Sequence, residues 1–239
     1  MPKTMPETIR RLVLVTRPKQ DAQEIADIIK ATGYDVQCEA FLRVVLHDVA
    51  HDLALDNLQQ YEGLIFTSRN GVRSFCHNNP KRDFEVYAVG KATATMAREF
   101  GFQRVHVSQD GHVASLQELL GKNRHNKLFY VRGKHITRAL KSENIDELIA
   151  YHTDIVEGID PDVMLKMVQG AYSDIMLFSA RTAEAFMCVL KDCDDLSAFK
   201  RTRCLCLSDS IAKVVSVLRW KKLEVAGRPN IKNIVDLLN

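Results

Sequence analysis

One phrase occurs twice in this chain, and it narrows the folds available. Glu62 to Phe75 reads EGLIFTSRNGVRSF, and Ser173 to Phe186 reads SDIMLFSARTAEAF. In each, an apolar run stops at a small polar turn and a helical spacing of apolar residues begins at once. That pattern predicts a buried strand, a tight turn and a helix whose first turn carries free N–H groups. A shift of 111 residues places Ser68 on Ser179 and Phe75 on Phe186. The chain therefore contains two copies of one α/β unit, each with a hydroxyl-bearing turn at a strand end.

The rest of the chain keeps the same rhythm. Residues 1–10 read as a lead-in. Leu12 to Val15 is a short apolar strand that runs into Thr16-Arg17-Pro18, and Ala22 to Ile29 give a helical face with a stop at Gly33. Tyr34 to Val45 is extended, and 48–60 has helical spacing. After the first copy of the phrase come a strand at Phe84–Val89, a helix from Gly90 to near Gly101, a strand at Val105–Val107 and a helical stretch at Ser115–Leu120. A strand at Leu128–Val131 follows, then a helix at about Ile136–Ser142, and Ile145–Val156 is long and extended. The second half repeats the order: helix 162–169, strand Ile175–Phe178, strand Arg203–Leu207, a helix opened by Ser208-Asp209-Ser210, strand Leu223–Ala226 and helix Ile231–Leu238. Such alternation implies parallel sheets covered on both faces.

Composition excludes several classes. With 33 Lys+Arg against 30 Asp+Glu the formal charge is +3, and no basic block is long enough to argue for nucleic acid. No run of 18 apolar residues exists, so no membrane span is expected. The six cysteines form no CxxC; Cys204 and Cys206, two apart in a strand, should share one face. No signal peptide is evident, which argues for free thiols in the cytoplasm and against a periplasmic binding protein. His47 and His51 are four apart and could share a helix face, but with no HExxH and no third ligand nearby no metal site is expected.

In parallel sheets ligands sit beyond the C-terminal strand ends. Here those ends carry Thr16-Arg17, Thr67-Ser68, Gly90, Arg132-Gly133, Phe178-Ser179 and Ser208 to Ser210. Two readings stand for each serine: it caps its own helix, or it offers its hydroxyl to a carboxylate or phosphate at a helix N-terminus. Tyr151, in the second extended segment, reads either as packing or as a group in a cleft.

The ordered set VTRP (15–18), IFTSRNGV (65–72), AVGKATA (88–94), YVRG (130–133), Tyr151 after an extended strand and LFSARTAEAF (177–186) resembles the uroporphyrinogen-III synthase family. The resemblance runs from about Leu12 to Leu238. It implies an α/β fold of two flavodoxin-like parallel-sheet lobes joined by a two-stranded linker. Lobe 1 is then discontinuous, residues 1–37 plus 157–239; lobe 2 is 45–150; the linkers lie at about 38–44 and 151–156. It also implies an activity without cofactor or metal: a hydro-lyase that closes hydroxymethylbilane to uroporphyrinogen III, inverting the last pyrrole ring with loss of water, in heme biosynthesis. The contrasting function is a non-catalytic two-lobed binder of a carboxylated ligand.

Carried over residue by residue, Tyr151 matches the family's cleft tyrosine, a weak acid for the departing hydroxyl. Ser68, Ser179, Gly90, Thr93, Arg17 and Arg132 match substrate-side positions, with Ser208 and Ser210 in the last turn. That turn departs from the family's Gly-x-Thr-Thr-Ala: it reads Ser208-Asp209-Ser210-Ile211-Ala212, so Ile211 replaces a threonine. The resemblance also implies a cytoplasmic monomer. The lability of the substrate implies transient contact with hydroxymethylbilane synthase.

Overall fold

The computed structural model describes residues 11–122, 127–136, 139–140 and 142–239. In chain order the elements are β1 (Leu12–Val15), α1 (Lys19–Ala31), β2 (Asp35–Cys38), β3 (Leu42–Leu46), α2 (Leu55–Leu58), β4 (Gly63–Phe66), α3 (Arg69–Asn78), β5 (Glu85–Ala88), α4 (Lys91–Glu99), β6 (Arg104–Val107), α5 (Val113–Lys122), β7 (Leu128–Gly133) and β8 (Ile145–Ile155). They continue with α6 (Pro161–Gln169), β9 (Tyr172–Leu177), α7 (Ala180–Leu190), a 3₁₀ turn at Ser197–Arg201, β10 (Arg203–Cys206), α8 (Asp209–Val215), β11 (Lys222–Val225) and α9 (Ile231–Asp236). The chain divides into two compact units. Val44–Asp154 forms one; the described residues up to Arg43, with Ile155–Asn239, form the other.

In the discontinuous unit the sheet order is β11-β10-β9-β1-β2, with every described pairing parallel. Numbered along the chain this is 5-4-3-1-2, the flavodoxin order. Period-two alternation sends successive side chains to opposite faces. Leu14, Ile175, Leu177, Cys204 and Cys206 therefore pack with Phe186 and Phe199 on one face, and Val13, Val15, Met176 and Leu205 with Ile25, Ile29 and Ile234 on the other. The Sγ atoms of Cys204 and Cys206 lie 3.6 Å apart on that first face, as their spacing requires.

In the contiguous unit the order is β3-β8-β7-β4-β5-β6. The pairings from β8 through β6 are parallel. From β4 onward these five strands read 5-4-1-2-3, a second doubly wound arrangement. Leu64 and Phe66 of β4 join Val72, Phe75, Phe102 and Val131 on one face. Ile65 joins Tyr87, Leu116 and Tyr130 on the other.

One predicted helix differs. Within 48–60 only Leu55–Leu58 is helical. Val49, Leu53 and Leu58 are buried as the spacing implies. The Asn78 side chain donates to His47 O at 3.1 Å and accepts from Val49 N at 3.2 Å, holding the start of this segment. His47 and His51 therefore share no helix face; His47 Nε2 instead lies 2.7 Å from His152 Nδ1. Of the helix expected at about 136–142, residues 137, 138 and 141 lie outside the described set, as do residues 1–10. Among the described residues no helix is long and apolar enough to cross a membrane.

Candidate active site

Each doubly wound sheet has a point where successive connections turn in opposite directions, and the strand ends there splay apart around a crevice. In the contiguous unit that point lies between β4 and β7. The β4 end carries Thr67 and Ser68, and the β7 end carries Arg132 and Gly133. In the discontinuous unit it lies between β1 and β9, whose ends carry Thr16-Arg17 and Phe178-Ser179.

Ser68 is the N-cap of α3, in extended conformation, and its Oγ accepts from Gly71 N at 3.1 Å. The same Oγ lies 2.7 Å from the hydroxyl of Tyr151 on β8. A serine oxygen has two lone pairs and one proton. It can therefore accept from both the amide and the phenol and still donate to a third group. One residue earlier, Thr67 Oγ1 lies 2.8 Å from the hydroxyl of Tyr130 on β7. Two consecutive residues of one turn thus each hold the hydroxyl of a tyrosine on another strand. Burial raises the pKa of both phenols against the lowering effect of their serine or threonine partners, so both are neutral acids at physiological pH.

These four side chains line a cavity of about 310 Å³, with Val89, Gly111, His112, Val113, Gly133, His135 and Ile136 completing its wall. Gly71 lets α3 start close against the sheet, since a Cβ there would meet Val131 O at 2.8 Å. Gly90 caps α4 in extended conformation. Thr93, in the first turn of α4, is 5% exposed. Arg132 is paired away: its Nε donates to Glu147 Oε2 at 2.6 Å and its Nη1 to Gly133 O at 3.0 Å. The structure thus gathers Ser68 and Tyr151 around one cavity, with Gly90, Thr93 and Arg132 outside its described lining.

The discontinuous unit mirrors the capping geometry. Ser179 is the extended N-cap of α7, accepting from Thr182 N at 3.0 Å and sharing a 2.7 Å hydrogen bond with Thr182 Oγ1. The Arg17 guanidinium stacks on the Phe178 ring, 4.4 Å from its centroid, so it sits beside the next strand end. Ser208 caps α8 through its backbone only, its Oγ lying 2.9 Å from that of Ser210. Ile211, the departure noted in that turn, is 1% exposed and belongs to the core. Because β1, β9 and β10 are neighbours, Arg17, Ser179 and the Ser208–Ser210 turn occupy three consecutive strand ends.

Sequence reading passed over Tyr130, His112 and His135. The signal for Tyr130 was a hydroxyl inside an otherwise apolar strand, where it needs a partner. The histidines gave none, because only the fold brings α5's start and the segment after β7 to one wall.

Comparison with known proteins bears on what this arrangement serves. A protein described as porphyrin biosynthesis protein HemD, from Ruminiclostridium josui, is 25% identical over 95% of this chain, which spans 47% of that protein, about half its length. The structure of uroporphyrinogen-III synthetase from Helicobacter pylori superposes with a TM-score of 0.64 at 17% identity, covering 95% of this chain and 98% of that one. A mutant uroporphyrinogen III synthase from Thermus thermophilus gives a TM-score of 0.52 at 15% identity, covering 95% and 97%. These likenesses are of fold. The model of the uroporphyrinogen-III synthase HemD family matches residues 23–236, nearly the whole chain, and this protein belongs to that family.

Proposed function

We propose that the protein is a uroporphyrinogen-III synthase: a hydro-lyase that cyclises hydroxymethylbilane, inverts the last pyrrole ring and releases water. The observation that carries this reading, beside family membership, is the Ser68–Tyr151 hydrogen bond at the crevice of the contiguous sheet. The substrate leaves little bond chemistry to the protein. It must be held in one folded geometry, an orientation problem, and its terminal hydroxyl must depart as water. Tyr151 supplies the proton. As the C–O bond breaks, the phenolic proton moves to the leaving oxygen, giving water, an azafulvenium cation and a phenolate. Ser68 Oγ–H then turns to donate to the phenolate oxygen. The last ring attacks the cation through its substituted carbon, fragments and recloses inverted. The carbon that closes the macrocycle loses its proton to the phenolate, which restores the acid. Burial of Tyr151 suits both steps: the acid is fully protonated at the start, and its phenolate is a strong enough base at the end. Ser179, Ser208, Ser210 and the adjacent helix N-termini are proposed to receive substrate carboxylates. No step in this sequence calls on a cofactor.

The test is the product isomer. With hydroxymethylbilane generated in situ, the folded protein should yield mainly uroporphyrinogen III. Only isomer I, the spontaneous closure, would end the enzyme reading in favour of a carboxylate-binding module. The proposed setting is a cytoplasmic monomer that receives its labile substrate from hydroxymethylbilane synthase. Sedimentation should give a single 27.1 kDa species alone and a faster boundary with the upstream enzyme during turnover. An unchanged boundary at high concentration would reject the contact.

A further inference from the structure

We infer that Gly133 is the positioning residue for Tyr151: its missing side chain is the notch in which the tyrosine ring lies while its hydroxyl reaches Ser68. The inference rests on the role proposed above for Tyr151.

The pairing of β7 with β8 is regular from Leu128↔Ile145 to Arg132↔Ile149, then shifts so that Gly133 pairs with Tyr151. This leaves Ala150 as the extra residue of a β-bulge, a feature that re-aims the side chain after it. Ala150 is fully buried in the core face of the sheet, and Tyr151 O accepts from Lys134 N at 2.9 Å just beyond the bulge. The ring of Tyr151 is thereby laid across the end of β7. A Cβ on Gly133 would stand 2.6 Å from Tyr151 Cζ, 2.8 Å from Cε2 and 2.9 Å from the hydroxyl oxygen. No real contact is that short, so ring and Cβ cannot both occupy these places.

Gly133 is not required by its own backbone. The described glycines with positive φ are Gly33, Gly101, Gly111 and Gly170; at Gly133 an L-residue would meet no φ strain. The obstacle is the movable end of one side chain. Gly71 differs: there the added carbon would meet the backbone oxygen of Val131 at 2.8 Å, and the helix itself would have to shift. Alanine at 133 should therefore spare the fold and displace the phenol. Because the Ser68–Tyr151 contact is a single 2.7 Å bond at the tip of the ring, a displacement of about one ångström is enough to break it.

A double-mutant cycle in turnover tests this. Gly133→Ala should melt close to wild type yet lose about a hundredfold in kcat for isomer III, the low side of what a positioned acid contributes, with KM within about twofold. Tyr151→Phe should lose a similar factor, and the double variant should lose no more than Tyr151→Phe alone. Full turnover in Gly133→Ala, or losses that multiply in the double variant, would overturn the inference. An activity-independent reading uses tyrosine labelled with ¹³C at Cζ. The Tyr151 resonance, identified by its absence in Tyr151→Phe, should move in Gly133→Ala to its position in Ser68→Ala; an unmoved resonance refutes the notch even if wild type yields only isomer I. Should Gly133→Ala fail to fold, adding Tyr151→Gly should restore folding, and failure to restore it would place the clash elsewhere.

Discussion

At the scale of residues, the phenols share one physical condition. Burial is the first cause raising Tyr61, Tyr130, Tyr151 and Tyr172 above the ordinary tyrosine value. In the unfolded chain these groups ionise near pH ~10; in the folded chain they keep their protons to higher pH. Above that value the native state binds more protons than the unfolded state, so stability falls as pH rises. The contribution is intact below the unfolded pKa and lost as pH climbs through the folded one. Denaturant midpoints should therefore drop between pH 9 and 11, and Tyr151→Phe should drop less than wild type over that interval. Equal slopes for the two proteins would show that this phenol is not held neutral by its site. The same residues mark a limit of sequence reading. Ser68 and Tyr151 were legible because a hydroxyl turn and a tyrosine stood in recognisable phrases. Gly133 was legible only as a strand end, since a glycine chosen for the space above it leaves no mark until the ring across the bulge is known.

Among the elements, β9 has the most demanding position, in the middle of its sheet, and carries a charged side chain near its start. Asp174 is fully buried. Its carboxylate accepts from Arg203 Nε at 2.6 Å, Arg11 Nη2 at 3.0 Å and Ser173 Oγ at 2.7 Å. Arg203 also reaches Leu237 O and Leu238 O beyond α9. The carboxylate thus anchors the N-terminal edge of the sheet, at the opposite end of the strands from Ser179. Asp174→Ala would strand the mostly buried guanidinium of Arg203. Breaking a buried pair on one side costs about 3–5 kcal/mol, so the variant should lose close to that in denaturant unfolding while keeping its isomer specificity. A loss below about 1 kcal/mol would show that Arg203 is rescued by Glu224, 3.5 Å away. Strand and helix positions followed from apolar spacing wherever a strand ran straight into a helix, as in β4–α3 and β9–α7. Spacing failed at 48–60, where Val49, Leu53 and Leu58 are buried although only Leu55–Leu58 is helical.

For the molecule as a whole, the internal repeat is real in its physics. Ser68 and Ser179 occupy the same cap geometry, each accepting from the amide three residues on. Repetition could not reveal that the two sheets order their strands differently, because neighbour relations depend on contacts far apart in sequence. Those distances also govern how the chain is made. Thr16 Oγ1 donates to Met176 O across 160 residues, so the central pairing of β1 with β9 waits until those intervening residues have left the ribosome. The contiguous unit need not wait. Once it has formed, the 102-residue separation of His47 and Ile149 is bridged by a 3.1 Å contact. The loop that β1 must close is then effectively about 60 residues, which lowers the closure entropy by roughly 1 kcal/mol. The order of synthesis therefore makes the inserted unit a folding aid for the one whose sequence flanks it, because until β9 is made β1 lacks its neighbour on the central side of the sheet.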